Sequence, residues 1–410
     1  MILQAWVSDV SMERTILHCD LNSFYASVEC VKNPALKDVP MAVAGDPKSR
    51  HGIILAKNEL AKGFGVKTAE TIWQARKKCP DLVLVPPCHK DYSYYSRLAG
   101  QIYEEFTDLV EPFGIDESWL DVTGVQNLFG SGEEIANKIR QALSSRLGLT
   151  ASVGVSFNKI FAKLGSDYKK PDATTIITLE NYHKIVHPLP VTDLLYVGSA
   201  ANEALSKMHI KTIGELARSN KSIIIKQLGK IGEVIHDYAN GLDDSPVKSA
   251  YEQDKLKSIG NGMTFRRNLA SYDDILTGVA ALSDEVCGRM RKHGVKCGTI
   301  SVAIKDPDFK TVSKQKTLES STNLTKEVIQ VSMDLVKLIW NKKAPIRSIT
   351  ITGSHIVDAH TATEQLSLFE ESKPINKDKQ ERLENTVHKI REKYGKSSIE
   401  LGSIINNDII

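Results

Sequence analysis

The sequence predicts an α+β fold rather than a doubly wound one, and three observations predict it. Short apolar runs alternate with helix-periodic segments in the order β-α-β-β-α-β through roughly the first 180 residues, which suggests a palm-like sheet. Acidic residues stand beside two of those runs, Asp20 and the adjacent pair Asp116-Glu117. Beyond residue 180 the pattern changes twice, first to short helices punctuated by glycine and then to a basic, β-rich stretch.

Each element follows from local pattern. Residues 15–20 form a short apolar run that reads as a buried strand ending in Asp20. Residues 22–31 continue at helical spacing, with Phe24, Tyr25 and Val28 available for one face. The runs 41–44, 52–55 and 82–85 are β-like and bracketed by Gly, Pro and Asp. Residues 92–110 form a long helical pattern, 119–122 a strand, 133–147 a helix, 151–157 a Val-rich strand and 159–168 a helix.

From 181 to 248 the short helices include two hairpin-like turns, one at Gly198 and one at Gly229 and Gly232. Such helix-hairpin-helix turns present backbone N–H groups at helix N-termini, which suits phosphate binding without base readout. Ordinary capped turns use the same glycines. Residues 249–262 are polar and read as a linker. Within 263–358, residues 300–305 and 348–356 alternate as strands, while 275–290 and 327–340 are amphipathic helices. Residues 359–410 read as a polar tail with a short helical pattern at 379–394.

A chain of 410 residues accommodates two to four domains. Its 25% charged and 41% apolar residues fit ordinary globular domains and argue against a disordered or fibrous chain. The longest stretch free of Asp, Glu, Lys and Arg, 147–158, is too short and polar to span a membrane. The first 13 residues include Asp9 and Glu13 and lack the basic region of a secretory signal. Six scattered cysteines without a CxxC pair read as reduced thiols of a cytoplasmic protein. The net charge of +3 hides an asymmetry. Residues 251–358 carry 17 Lys and Arg against 12 Asp and Glu, a local +5, so the remainder sums to −2. A strip including Arg266, Arg267, Lys305, Lys310, Lys314 and Lys316 is suited to a phosphate backbone, although solvated lysines are the commoner reading of such a strip.

Asp20, Asp116 and Glu117 carry the chemistry. Carboxylates at apolar strand ends are costly to desolvate unless something compensates them. Mg²⁺ is one such partner, since it is held by one or two carboxylates together with substrate phosphate oxygens. Two such ions can clamp the attacking and leaving oxygens of an in-line phosphoryl transfer. Taken alone, surface turn carboxylates explain the same residues.

Three segments remove that ambiguity: His18-Cys19-Asp20-Leu21-Asn22-Ser23-Phe24-Tyr25-Ala26-Ser27-Val28-Glu29, Gly114-Ile115-Asp116-Glu117-Ser118-Trp119-Leu120-Asp121-Val122, and Ser152 to Lys159 with Phe161-Ala162-Lys163 and Lys170-Pro171. In their order and spacing they resemble the signature blocks of the Y-family translesion DNA polymerases, of the DNA polymerase IV and UmuC type. The resemblance runs from about residue 13 to 369. It implies a right-hand architecture: palm at 13–31 and 77–180, small fingers at 32–76, helix-hairpin-helix thumb at 181–248, linker at 249–262 and little finger at 263–358. It also implies template-directed, error-prone synthesis past damaged bases, with dNTP and primer-template DNA as substrates and two Mg²⁺ ions as cofactors.

The resemblance assigns roles. Asp20, Asp116 and Glu117 match the metal-binding carboxylates, with the Leu21 carbonyl as a further ligand. Tyr25 matches the steric gate against a ribose 2′-hydroxyl, Phe24 the aromatic beside the incoming nucleotide, and Lys170 a lysine that reaches the triphosphate. One region departs from the family pattern. Where relatives carry Tyr-Glu-Ala-Arg, this chain has Glu59-Leu60-Ala61-Lys62. Lys62 keeps the charge without a bidentate fork, Glu59 contributes nothing to a triphosphate, and Lys57 or Lys67 can share the contact.

Gly198, Gly229, Gly232, Arg266, Arg267 and Lys314 are the expected DNA contacts. Gln365-Leu366-Ser367-Leu368-Phe369 resembles the bacterial sliding-clamp pentapeptide, in which Gln365, Leu366, Leu368 and Phe369 would enter a partner pocket. The expected protein is a monomer in the bacterial cytoplasm, associated with the nucleoid when acting and not with a membrane. Rival readings are a UmuC-like catalytic subunit that needs accessory proteins, a silent DNA- and clamp-binding homologue, and a Mg²⁺ nuclease.

Overall fold

The computed structural model describes residues 14–46, 52–252, 255–341, 344–359, 376–405 and 407–410, with backbone alone at 376–378. The chain divides into two units, Met1–Gln253 and Asp254–Ile410.

The first unit carries β1 (Ile16–Leu21), β2 (Met41–Ala44), β3 (Ile54–Lys57), β4 (Val83–Val85), β5 (Val110–Pro112), β6 (Glu117–Asp121), β7 (Ala151–Ser156) and β8 (Thr174–Ile177). Its main sheet has the order β5-β6-β1-β7-β8, with β1 antiparallel to both neighbours. A central strand is covered on both faces, so every residue of β1 is buried, the polar His18 and Asp20 among them. Leu17, Cys19 and Leu21 point into the core shared with the helices His89–Glu104 and Gly132–Leu147. Ile16, His18 and Asp20 take the opposite face, where helix Lys159–Tyr168 packs. That helix seats very closely: a Cβ at Gly154, opposite His18 in the ladder, would stand 1.8 Å from the Ala162 carbonyl oxygen. Only glycine permits the contact.

The predicted helix 92–110 resolves into helix His89–Glu104 and the edge strand β5. Phe106 and Val110 both turn toward the same core, so helical spacing ran two elements together. The short sheet β3-β2-β4 and the helices Glu59–Gly63 and Ile72–Lys78 enclose a separate small core of Ala42, Ile54, Ala61, Ile72, Ala75 and Leu82.

Four helices, Ser199–Lys207, Ile213–Ala217, Lys221–Leu228 and Lys230–Ala239, pack around Leu205, Ile213, Leu216, Ile224 and Ile235. Gly229 turns between the last two at φ +65°, a conformation that excludes most side chains. Gly232 lies inside its helix. A Cβ there would meet the Ile224 carbonyl oxygen at 2.6 Å, so this glycine serves helix packing. Gly198 caps the first helix with open space around it.

The second unit carries β9 (Ser258–Leu269), β10 (Val295–Lys305), β11 (Thr311–Thr322) and β12 (Ile346–Asp358) in the antiparallel order β11-β10-β12-β9. Helices Tyr272–Lys292 and Thr325–Ile339 pack on the sheet around Phe265, Leu282, Val286, Ile300, Val302, Ile349 and Ile351. β9 begins at Ser258, inside the linker expected at 249–262. Its Gly260 and Gly262 mimic a linker composition, yet a Cβ at either would stand 2.5 Å from the hydroxyl of Thr352 or Thr350 on β12.

The expected tail is also corrected in part. Helix Asn376–Tyr394 docks on the second unit through Arg291–Glu384 at 2.6 Å, Lys296–Glu381 at 2.9 Å and Arg391–Asp284 at 2.9 Å. Near the C-terminus Ile409 is buried, and its carbonyl accepts from the Arg266 N–H at 2.9 Å. The pentapeptide 365–369 lies outside the described residues. Among the described residues no helix is long and apolar enough to cross a membrane.

Candidate active site

The ladder between β1 and β6 pairs Asp20 with Glu117, so the two carboxylates project as neighbours on one face. The Leu21 N–H donates to the Asp116 carbonyl at 3.0 Å, which brings Asp116 to the same strand end. Asp20, Leu21, Phe24, Tyr25, Asp116, Glu117 and Lys170 together line an open cavity of about 470 Å³. Seven residues chosen from sequence therefore meet at one place. Lys62 does not line it; its ammonium pairs with Glu59 at 3.3 Å. Lys57 and Thr68 line it instead.

The charges are strongly coupled. Burial raises the Asp20 carboxyl to about 6, against the opposing pull of Lys170, whose Nζ lies 2.6 Å from its Oδ2. Burial, and then the neighbouring Glu117, also raise Asp116. Glu117 moves the other way: burial would raise it, but His18 and Lys163 outweigh that effect and hold it down at about 2. Both partners engage the same oxygen, Oε2. His18 Nε2 lies 3.2 Å from it, and Lys163 forms an ion pair with it.

His18 is fully buried, and burial lowers its pKa, so the ring is held neutral. Its Nδ1 lies 2.8 Å from Ser166 Oγ, whose hydroxyl donates to the Lys163 carbonyl at 2.8 Å, and its Nε2 faces the Glu117 carboxylate. Neither His18 nor Lys163 was picked out as a site residue from sequence. The available signal was the two-residue period of β1, which puts His18 on the face of Asp20.

These residues fit a hard divalent cation. The donors are all oxygen, and two of the three carboxylates are pushed toward protonation by burial that a cation would offset. Among the described residues no three acidic, His or Cys side chains close around a point. The three carboxylates line the open cavity wall.

Tyr25 forms part of the same cavity wall. Its ring stacks on Tyr92 at 4.0 Å between centroids and 11° between planes. The Tyr92 hydroxyl donates to buried Glu29 at 2.8 Å, which fixes that partner ring. Phe24 reaches the cavity although most of it is buried in the core. Asn22 accepts from the Asp172 N–H at 2.9 Å and so ties the segment carrying Lys170 to the end of β1.

In the second unit Lys314 and Lys316 lie on β11, an edge strand exposed for most of its length. Arg267 is committed within the unit, to Asp274 at 2.8 Å and to Asp408 at 2.7 Å.

The profile of the impB/mucB/samB family matches residues 19–167, and that of the family's C-terminal domain matches 256–368. The chain is 44% identical to DNA polymerase IV of Acetivibrio thermocellus, over 97% of this chain and 98% of that protein. It is 35% identical to DNA polymerase IV 1 of Bacillus subtilis, over 96% and 94%. Among solved structures it resembles a Y-family DNA polymerase chimera, Dbh-Dpo4(243-245)-Dbh, with a TM-score of 0.75, 26% identity, and 84% of this chain and 99% of that one covered.

Proposed function

The chain belongs to the impB/mucB/samB family of Y-family DNA polymerases, and from that premise we propose that Asp20, Asp116 and Glu117 hold two Mg²⁺ ions for nucleotidyl transfer from a dNTP to a primer 3′-hydroxyl. It is a DNA-directed DNA polymerase of the translesion kind, acting on primer-template DNA and dNTPs with divalent metal ions. Its architecture is that of palm, fingers, thumb and little finger. We assign these to 13–31 with 77–180, 32–76, 181–248 and 263–358. The observation that carries the mechanism is the Asp20–Glu117 register, with Asp116 beside it, facing a cavity walled by Tyr25.

When bound, the two ions would lower the pKa of the 3′-hydroxyl and neutralise charge on the triphosphate. The chain's own groups prepare that site. His18 and Lys163 hold Oε2 of Glu117 and leave Oε1 for the cation. Lys170 sits above its ordinary pKa because the Asp20 and Asp167 carboxylates outweigh its burial, so it is charged and able to turn toward phosphate oxygens. Lys57 lines the cavity, and burial lowers its pKa. A Lys57→Ala variant is expected to raise the KM for nucleotides several-fold, and more than Lys62→Ala does, in steady-state primer extension. The reverse order would restore the triphosphate contact to Lys62.

His18→Leu roughly preserves volume and removes the ring's contacts with Ser166 and Glu117. The Mg²⁺ concentration for half-maximal extension is expected to rise roughly ten-fold. The KM for nucleotides should change far less, and an unchanged Mg²⁺ titration would leave His18 a packing residue only.

Arg266, Lys305, Lys310, Lys314 and Lys316, with the turns at Gly198 and Gly229, are our assignment for sequence-independent phosphate contacts. Residues 365–369 are our assignment for sliding-clamp binding by a monomeric, cytoplasmic enzyme. Leu368→Ala with Phe369→Ala should abolish stimulation by the clamp and spare clamp-free extension. An equal fall in both would make the segment structural. Primer extension by the purified chain with Mg²⁺ tests the whole reading. Degradation of the primer, or no product with or without clamp, overturns it.

A further inference from the structure

Residues 57–78 carry six Lys and Arg against two carboxylates, a local +4 that exceeds the +3 of the entire chain. Both carboxylates are already engaged, Glu59 with Lys62 and Glu70 with Lys78. Arg76 and Lys77 have no carboxylate partner among the described residues. They share a helix with Trp73, at i+3 and i+4 from it, so all three lie on one face of Ile72–Lys78. The other face is spent on the small core through Ile72 and Ala75. Trp73 is 71% exposed, with the Lys77 Nζ 5.6 Å from its ring centroid.

A tryptophan on the solvent side of a short helix contributes nothing to that core. An exposed aromatic face beside cations that have no carboxylate partner among the described residues is an arrangement that binds single-stranded nucleic acid, with a base stacked on the ring and phosphates against the charges. Its place in the fold suits an unpaired template. Leu55, Ala56 and Lys57 of β3 wall the active-site cavity. Two residues back along the same chain, about 7 Å, Ile53 pairs with Thr71, the residue that caps the Trp73 helix.

We propose that Trp73, Arg76 and Lys77 form a stacking site for the single-stranded template 5′ of the nascent base pair. The proposal rests on the assignment of this chain as a polymerase. The site holds the incoming template strand by one stacked base and its adjoining phosphates, without base preference, because every base presents a π-face.

The test uses the full chain and dye-labelled primer-templates that share a duplex and differ in having a 12-nucleotide 5′ template overhang or a blunt end. Wild type is expected to bind the overhang substrate more tightly. Trp73→Ala should weaken that substrate at least roughly five-fold, leave the blunt duplex unchanged, and be rescued by Trp73→Phe. Arg76→Ala with Lys77→Ala should flatten the salt dependence for the overhang substrate alone, by about 0.7 in slope for each phosphate no longer neutralised. Extension at saturating DNA should be unchanged in Trp73→Ala, which separates this site from the chemistry. Equal losses on both substrates, or no loss on either, overturn the proposal. Unaltered DNA binding together with lost binding to a protein partner would reassign the patch to that partner. A wild-type chain that binds DNA but extends nothing would fail the polymerase assignment and not this one.

Discussion

Primer extension by an Asp116→Ala variant is expected to fall by roughly 10³-fold in kcat, with primer-template affinity little changed. Asp116 lies at the mouth of the sheet, where its backbone carbonyl accepts from Leu21 and its carboxylate faces the cavity. Its pKa is raised by burial and by Glu117, so the carboxylate is held ready to exchange crowding for a cation. Removing it takes away negative charge from a wall that must counter several positive charges. The expected deficit of several kcal/mol in transition-state stabilisation corresponds to the stated loss, at about 1.4 kcal/mol per ten-fold. Because Asp116 precedes β6 and carries no ladder pairing through its side chain, the fold should survive, and circular dichroism should match wild type. Single-turnover extension is the measurement. A residual rate within ten-fold of wild type would remove Asp116 from the proposed metal site.

Tyr25→Ala is expected to raise the use of ribonucleotides relative to deoxyribonucleotides by roughly 10- to 100-fold in kcat/KM. The reasoning is steric. The Tyr25 ring stacks on Tyr92, and Tyr92 is itself bonded to Glu29, so in the proposed gate role the ring is braced against a 2′-hydroxyl. A rigid clash rejects the wrong sugar more sharply than a contact selects the right one. Tyr25→Phe should keep the ring and the discrimination. Tyr92→Ala should loosen the wall and give an intermediate ratio without touching the substrate. If Tyr25→Ala leaves the ratio unchanged while lowering both activities, the ring is a packing element.

Much of the site was legible in the sequence because its residues sit at fixed offsets on regular elements. Asp20 ends a strand, Tyr25 lies five residues on in the following helix, and Asp116-Glu117 open the next paired strand. β11 was not legible as a strand, because an edge strand exposed on both faces has no apolar alternation to detect. The first five residues of β9, 258–262, were read as the end of a linker from its polar composition, and the glycines there answer to the close approach of β12. Lys62 was favoured over Lys57 by similarity of motif, whereas the cavity wall follows the course of β3.

The sequence by itself determined the family and the α+β order of elements, and it singled out Asp20, Asp116, Glu117 and Tyr25 as candidates, since these depend on residue type and local spacing. Only the tertiary structure decided which side chains hold those residues in place. His18 and Lys163 on Glu117, Tyr92 behind Tyr25, and the chain after residue 375 returning onto the second unit are all contacts between elements distant in sequence. Such contacts are fixed by packing a helix onto a sheet face at close range, as Gly154 permits under helix Lys159–Tyr168, and no local pattern records them.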